Sequence, residues 1–301
     1  MAEYLTNTEE LTAIADAIRA KLSSQGYTID DIAERNMMSG SIYGSNASFI
    51  ANYAFYGCAS LTGVSFPSVT TIGVSAFQQC SSLTTISFPM AVSINAYAFQ
   101  FCTALTVADF PAVTSIGWGV FIYCNGLTDV SFPNATSIGA SAFNRCIALT
   151  TANFPAANRA PDNGFQSCSV LTTANFSVAR YIDDLAFHTC SALTTVSFPS
   201  VIRIGSQAFD RCIGLTTLSF PALAQIGDYA FRSCYNLLSL YLNNVSAVPT
   251  LGNSVFYSTP IGGRTTSTDG VYGSVFVPAS LYNSFLTATN WSSISARIVS
   301  V

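Results

Sequence analysis

The chain has 301 residues, a formal net charge of −4 and a sequence pI near 4.8, with only 9% charged side chains, against about a quarter in an ordinary globular protein. Its 11 basic residues are scattered along the sequence, which argues against a nucleic-acid partner, since a phosphate-binding face needs clustered Lys and Arg. No run of about 18 apolar residues occurs, so membrane insertion through a spanning helix is not expected.

The first residues, MAEYLTNTEEL, lack the basic start and apolar core of a secretory leader. Synthesis in the cytoplasm without a signal peptide is therefore expected, with the virion or cell surface as the final location. Thr6 and Glu9 form a capping box, and Leu11, Ile14, Ala15, Ile18 and Leu22 fall on one face, which predicts an amphipathic helix over 6–22. Thr28 with Asp31 begins a second, shorter helix through Ile32. Such short helices need a partner for their apolar face, so residues 1–40 are expected either to dock onto a larger assembly or to cap the first coil near Ile42 and Ile50. The stretch Leu5 to Lys21 resembles the helical lead-in of phage and prophage tail-associated proteins.

From residue 41 to about 250 one period governs everything. Cys58, Cys80, Cys102, Cys124, Cys146, Cys168, Cys190, Cys212 and Cys234 each follow the last by 22 residues. A phenylalanine stands three residues before each and a leucine three after, as in Phe55 and Leu61. Within the unit, Leu61, Val64 and Phe66 have the L-x-x-L-x-L spacing of a leucine-rich repeat, and alternation predicts a short strand. Pro67 then turns the chain, and Ile72-Gly73 before Ala76-Phe77 predicts a turn followed by one tight helical turn buried through Phe77 and Cys80. One coil buries about five large apolar side chains at about 1.5–3 kcal/mol each. Ordering its residues costs about 1.5 kcal/mol apiece, so only a stack is stable.

The pattern Ile-Gly-x-x-Ala-Phe-x-x-Cys-x-x-Leu-Thr-x-x-x-Phe-Pro resembles the BspA-like leucine-rich repeats of bacterial and protist surface proteins. The resemblance implies an α/β repeat solenoid: a right-handed coil stack with a parallel β-sheet on one face and short helical turns on the other. One coil departs from the pattern. Ala160-Pro161 replaces Ile-Gly, Gly164 replaces the small Ala and Ser177 replaces the turn proline, so that coil should be the softest. After Cys234 the period fails, and residues 251–301 are expected to form a C-terminal cap. There Gly262 to Gly273 reads as a loop, a helix begins at Ala279, and Trp291 covers the last coil.

Chemistry is sparse. The nine thiols form a row with parallel Cα–Cβ vectors, whereas a disulfide needs converging ones, so a buried, reduced ladder is expected. No C-x-x-C pair or Cys/His cluster suggests zinc, and Asp162, Asp183 and Asp184 do not repeat an acidic calcium spacing. His188 is the single histidine, on a variable position read as outward and solvated rather than as a catalytic base. Neither an enzyme, a metal nor a cofactor is expected.

Two solvent-facing strips differ. On the strand side the outward residues are small, such as Thr195/Ser197 and Thr217/Ser219, beside a threonine column from Thr62 to Thr216. A hydroxyl ladder explains that strip without a ligand. The strip flanking Ala-Phe-x-x-Cys instead changes from coil to coil and carries bulky groups: Tyr97, Phe101, Trp118, Ile122, Tyr123, Arg145, His188, Arg211, Arg232 and Tyr235. Drift at unconstrained positions would favour charged residues, while this strip has the Tyr, Trp and Arg content of interface hot spots. It is the candidate binding face, for a host-surface protein or glycan. Two settings stay open: a phage or prophage virion-associated host-binding protein, or a bacterial BspA-like surface adhesin or interaction scaffold.

Overall fold

The computed structural model describes residues 40–43, 47–263 and 272–301. The expected helices over 6–22 and near Thr28, and most of the loop from Gly262 to Gly273, lie outside the described residues.

Stacking on the 22-residue period creates hydrogen-bonded ladders in which every residue meets its own equivalent one coil away. Three-residue strands such as Thr85–Ser87, Thr151–Asn153 and Thr217–Ser219 form parallel ladders in strict register, for example Thr151 beside Thr173 and Asn153 beside Asn175. The central side chain points inward and its neighbours outward. Two-residue strands, from Phe49–Ile50 to Thr250–Leu251, make a second, narrower parallel ladder.

That narrow ladder splits in two, between Ser137–Ile138 and Arg159–Ala160. In regular coils the residue after the isoleucine donates its N–H to the isoleucine carbonyl of the preceding coil, as Gly139 does to Ile116 at 2.7 Å and Gly205 to Ile182 at 2.7 Å. Pro161 occupies that place and has no N–H to give. Glycine suits the place because a Cβ on Gly139 would come within 2.5 Å of the backbone of Gly117 and Trp118.

The third side differs from the expected helical turn. It is a run of turns in which alternate N–H groups bond to the next coil: Ser75 to the Ala96 carbonyl at 2.9 Å, Phe77 to Ala98 at 2.8 Å and Gln79 to Gln100 at 2.8 Å. The residues between them close local turns, as Cys80 does on Phe77 at 3.2 Å. Two positions per coil, five and one before the cysteine, are left-handed, with φ between 51° and 65° at their non-glycine residues from Tyr53 to Ser258. Spacing explains the difference. A helix with its side chains is about 10 Å across, about twice the step between paired strands, and would splay the coils on this side into a strongly curved horseshoe. The turn run keeps the step and sends its N–H groups along the stack.

Inside, two phenylalanine columns carry the core. Phe55, Phe77, Phe99 and their successors to Phe256 stack with ring planes within 14° and centroids 4.9–5.8 Å apart. A second column runs from Phe66 to Phe198 and packs at an angle against the first. All nine cysteines are free and buried. Each thiol from Cys80 onward donates to the carbonyl of the phenylalanine 25 residues earlier, at 3.0–3.2 Å, as Cys146 does to Phe121. Burial pushes the Cys168 thiol up to about 12 and holds those of Cys146 and Cys190 well above the ordinary thiol range. The ladder is therefore one of protonated donors.

At the C-terminal end Ser274–Val277 adds to the main ladder and Ile298–Ser300 closes it. Between them Ala279–Leu281 and Tyr282–Thr287 are short helices. Trp291 is fully buried against Phe256 and Phe285, and its Nε1 donates to the Pro249 carbonyl at 2.7 Å.

Candidate functional site

The variable strip lies on the turn side and resolves into columns set by distance from the cysteine. In the column one residue before it stand Phe101, Tyr123, Arg145 and, further along, Arg211, all left-handed with φ of 60–62°. Each sends its N–H to the next coil, Phe101 to the Ile122 carbonyl and Tyr123 to that of Asn144. Tyr97 has the same conformation five residues before Cys102. Left-handed backbone disfavours any side chain with a Cβ, by about 1–2 kcal/mol per residue.

These side chains meet across coils. Tyr97 and Trp118 pack edge to face with centroids 4.4 Å apart. Phe101 and Tyr123 stack at 4.8 Å, and the Arg145 guanidinium lies 5.3 Å from the Tyr123 ring centre. Gly119 makes the join possible: a Cβ there would come within 2.8 Å of Ile122 Cδ1 and 3.1 Å of the Tyr97 ring. Tyr97, Trp118, Ile122, Phe101, Tyr123 and Arg145 thus form one cluster over three coils. Trp118 is 44% exposed and Arg145 is exposed, while the others are half-buried.

The second group of expected binding residues is divided. His188 and Arg232 occupy the column two before the cysteine, and the structure corrects the reading of His188 as outward and solvated. Its side chain is only 17% exposed, and Nδ1 lies 3.2 Å from Asp210 Oδ2 without hydrogen-bond alignment. Arg232 donates to the same carboxylate through Nε, at 3.0 Å, and Nη2, and its guanidinium sits over Tyr229. Asp210 is fully buried. Burial alone would raise its carboxyl, but His188 and Arg232 hold it below the usual carboxylate range. The column turns its side chains along the stack, as the Asn144 amide also does in donating to Gln166 at 3.0 Å. His188 and Arg232 therefore secure a buried charge, a role sequence reasoning missed. Three ionisable groups spaced 22 residues apart in one column were the available signal.

Arg211 and Tyr235 stay exposed and line an open groove of about 510 Å³ over the coils of Cys168 to Cys234. Among the described residues no group of three His, Cys, Asp or Glu could hold a metal ion. On the strand side the threonine hydroxyls are engaged within the stack, Thr84 donating to the Thr62 carbonyl and Thr150 to that of Thr128, both at 3.1 Å. Asp109 and Asp129 likewise accept from Ser87 and Thr151.

The model of the BspA type leucine-rich repeat region, in six copies, matches residues 48–172 and 158–269. A leucine-rich repeat protein from Bacteroides ovatus has a similar structure, with 23% identity and a TM-score of 0.66, covering 87% of this chain and 70% of that one. This likeness shows the fold. The T. pallidum leucine-rich repeat protein is 27% identical, with a TM-score of 0.45, over 58% of this chain and 77% of its own. A leucine-rich cell surface protein from Faecalibacterium prausnitzii is 21% identical, with a TM-score of 0.32, over 71% and 87%. No curated protein sequence matches the chain.

Proposed function

From the premise that the chain belongs to the BspA-type leucine-rich repeat family, we propose that it is a non-enzymatic recognition and adhesion protein whose turn side presents a binding surface to a host-surface protein or glycan. The observation that carries this reading is the cluster of Tyr97, Trp118, Phe101, Tyr123 and Arg145. Large aromatic side chains and an Arg pack together across neighbouring coils on this side and stay exposed or half-buried, where drift at solvated positions would favour charged residues. Aromatic and Arg anchors of this kind concentrate binding energy in a few residues.

Of the two settings expected from the sequence, repeat-family membership supports a bacterial surface adhesin. The virion setting rests on Leu5 to Lys21, which precede both the family match and the described residues. The test is retention of the purified chain on immobilised extracellular-matrix proteins and on epithelial cells before and after trypsin treatment. Saturable retention on one of these surfaces is expected, and its loss after trypsin assigns a protein partner. Failure to be retained on any of them overturns the proposal.

A further inference from the structure

The turn side changes character along its length. Over the coils of Cys102 to Cys146 the column before the cysteine is filled by Phe101, Tyr123 and Arg145, but over the next four coils it holds Ser167, Thr189, Arg211 and Ser233. The column after the cysteine holds Ser169, Ser191, Ile213 and Tyr235, and together the two columns wall the groove of about 510 Å³. Ser191 N–H donates to the Thr189 carbonyl at 2.9 Å, closing a turn over Cys190 that splays the flanking side chains to either side.

Resting on the reading of the turn side as a binding surface, we propose that this groove is a subsite for an extended, equatorially linked glycan chain lying along the stack with one pyranose per coil. Three features select that ligand. First, the groove runs along the stack, where neighbouring coils repeat at 5.3–5.6 Å, measured at the phenylalanine column beneath it. A 1,4-diequatorially linked pyranose advances by about one such step with successive rings turned over, so each coil meets one ring and the two columns meet its two edges alternately. An extended peptide rises about 3.3 Å per residue and repeats its side chains every second residue, and falls out of register within two coils. Second, the Arg211 guanidinium and the Ser169 and Ser233 hydroxyls are donors for ring and hydroxyl oxygens, while Thr189 and Ser191, whose hydroxyls already donate to the His188 and Ser169 carbonyls, accept from sugar hydroxyls. Third, Ile213 and the Tyr235 ring, 39% and 37% exposed, give apolar surface for the C–H face of a sugar. Asp210, the nearest acid in sequence, is buried and held by Arg232, so it does not oppose an oxygen-rich ligand.

The experiment is calorimetric titration of the full chain with the di-, tetra- and hexasaccharides of β-1,4-linked glucose and of β-1,4-linked N-acetylglucosamine. In one of the two series, affinity should rise at least tenfold from di- to tetrasaccharide, which spans the four coils, and change little from tetra- to hexasaccharide. Arg211→Ser and Ser169→Tyr place in each column a residue that the same column already carries, at Ser233 and Tyr235. Each should weaken tetrasaccharide binding at least tenfold with an unchanged melting temperature, and Trp118→Ala with Tyr123→Ala should leave it unaltered. Absence of binding in both series, or binding insensitive to length or to Ser169→Tyr, overturns the inference. If neither series binds while the chain is still retained on cells through the aromatic cluster, the groove inference falls and the turn-side recognition stands.

Discussion

Replacing Cys146 separates the packing of the thiol ladder from its hydrogen bonding. The side chain is fully buried, and its Sγ donates to the Phe121 carbonyl at 3.1 Å. Cys146→Ala removes a buried group about the size of a methylene, worth about 0.8 kcal/mol in transfer. It also takes from the Phe121 carbonyl one of its two donors, the other being the Cys124 N–H at 3.1 Å, at about 0.5–1.5 kcal/mol, for a total of about 1–2 kcal/mol. Cys146→Ser keeps a donor, but its shorter bond to Cβ draws the oxygen back from the carbonyl and buries a weakly bonded hydroxyl, at about 1–2 kcal/mol. The two changes are therefore expected to cost about the same. Urea unfolding followed by circular dichroism checks both costs, provided the slope with denaturant is unchanged. An alanine cost at or below the transfer value of about 0.8 kcal/mol would refute the hydrogen-bonded ladder.

Native protein at pH 8 should resist iodoacetamide at all nine cysteines, because burial keeps the thiols protonated, and the denatured chain should label at all nine; fewer labels after denaturation would reveal disulfides. Asp210→Asn should destabilise by about 2 kcal/mol by removing the buried charge that the Arg232 guanidinium faces and by turning one of its two acceptor oxygens into a donor. Because His188 and Arg232 hold the Asp210 carboxyl below its ordinary value, its stabilisation is present above the unfolded pKa of about 3.9 and is lost as pH falls through the lower folded value. The wild type should lose this advantage over Asp210→Asn in acid melts, and an equal gap between them from pH 7 to pH 2 would refute the assignment. Deleting residues 1–35 should leave the melting temperature of the solenoid within a few degrees if that segment docks elsewhere, whereas a much earlier melt makes it chiefly a cap.

The coil unit was legible because a fixed period turns sequence spacing into spatial adjacency. Residues 22 apart must meet, so the phenylalanine columns, the thiol row and the pairing of Phe101 with Tyr123 could be read directly. The departure at Pro161 was legible too, and it falls where the narrow ladder divides, since proline cannot supply the missing donor. The turn side was harder to read. Ala-Phe-x-x-Cys is compatible with a helical turn, and only the narrow step between coils, which a helix cannot match, selects the left-handed alternation. That alternation aims neighbouring positions differently, which is why Phe101 and Tyr123 form a surface cluster while His188 and Arg232 turn along the stack to Asp210. The groove was hidden for another reason: it arises where Ser167, Thr189 and Ser233 are small, and a search for bulky groups passes over missing bulk.

The choice of face is the central claim, and a two-sided comparison tests it most directly. Trp118→Ala with Tyr123→Ala on the turn side, and Thr195→Ala with Thr217→Ala on the strand side, change exposed or half-buried residues. Each pair should leave folding nearly intact. In retention on whichever surface the wild-type chain binds, the aromatic pair should weaken attachment about 100-fold or more, since anchors of this type cost 2 kcal/mol or more apiece, and the threonine pair should change it less than about threefold. Attachment abolished by the threonine changes and untouched by the aromatic ones would contradict the account and move the binding face to the strand side.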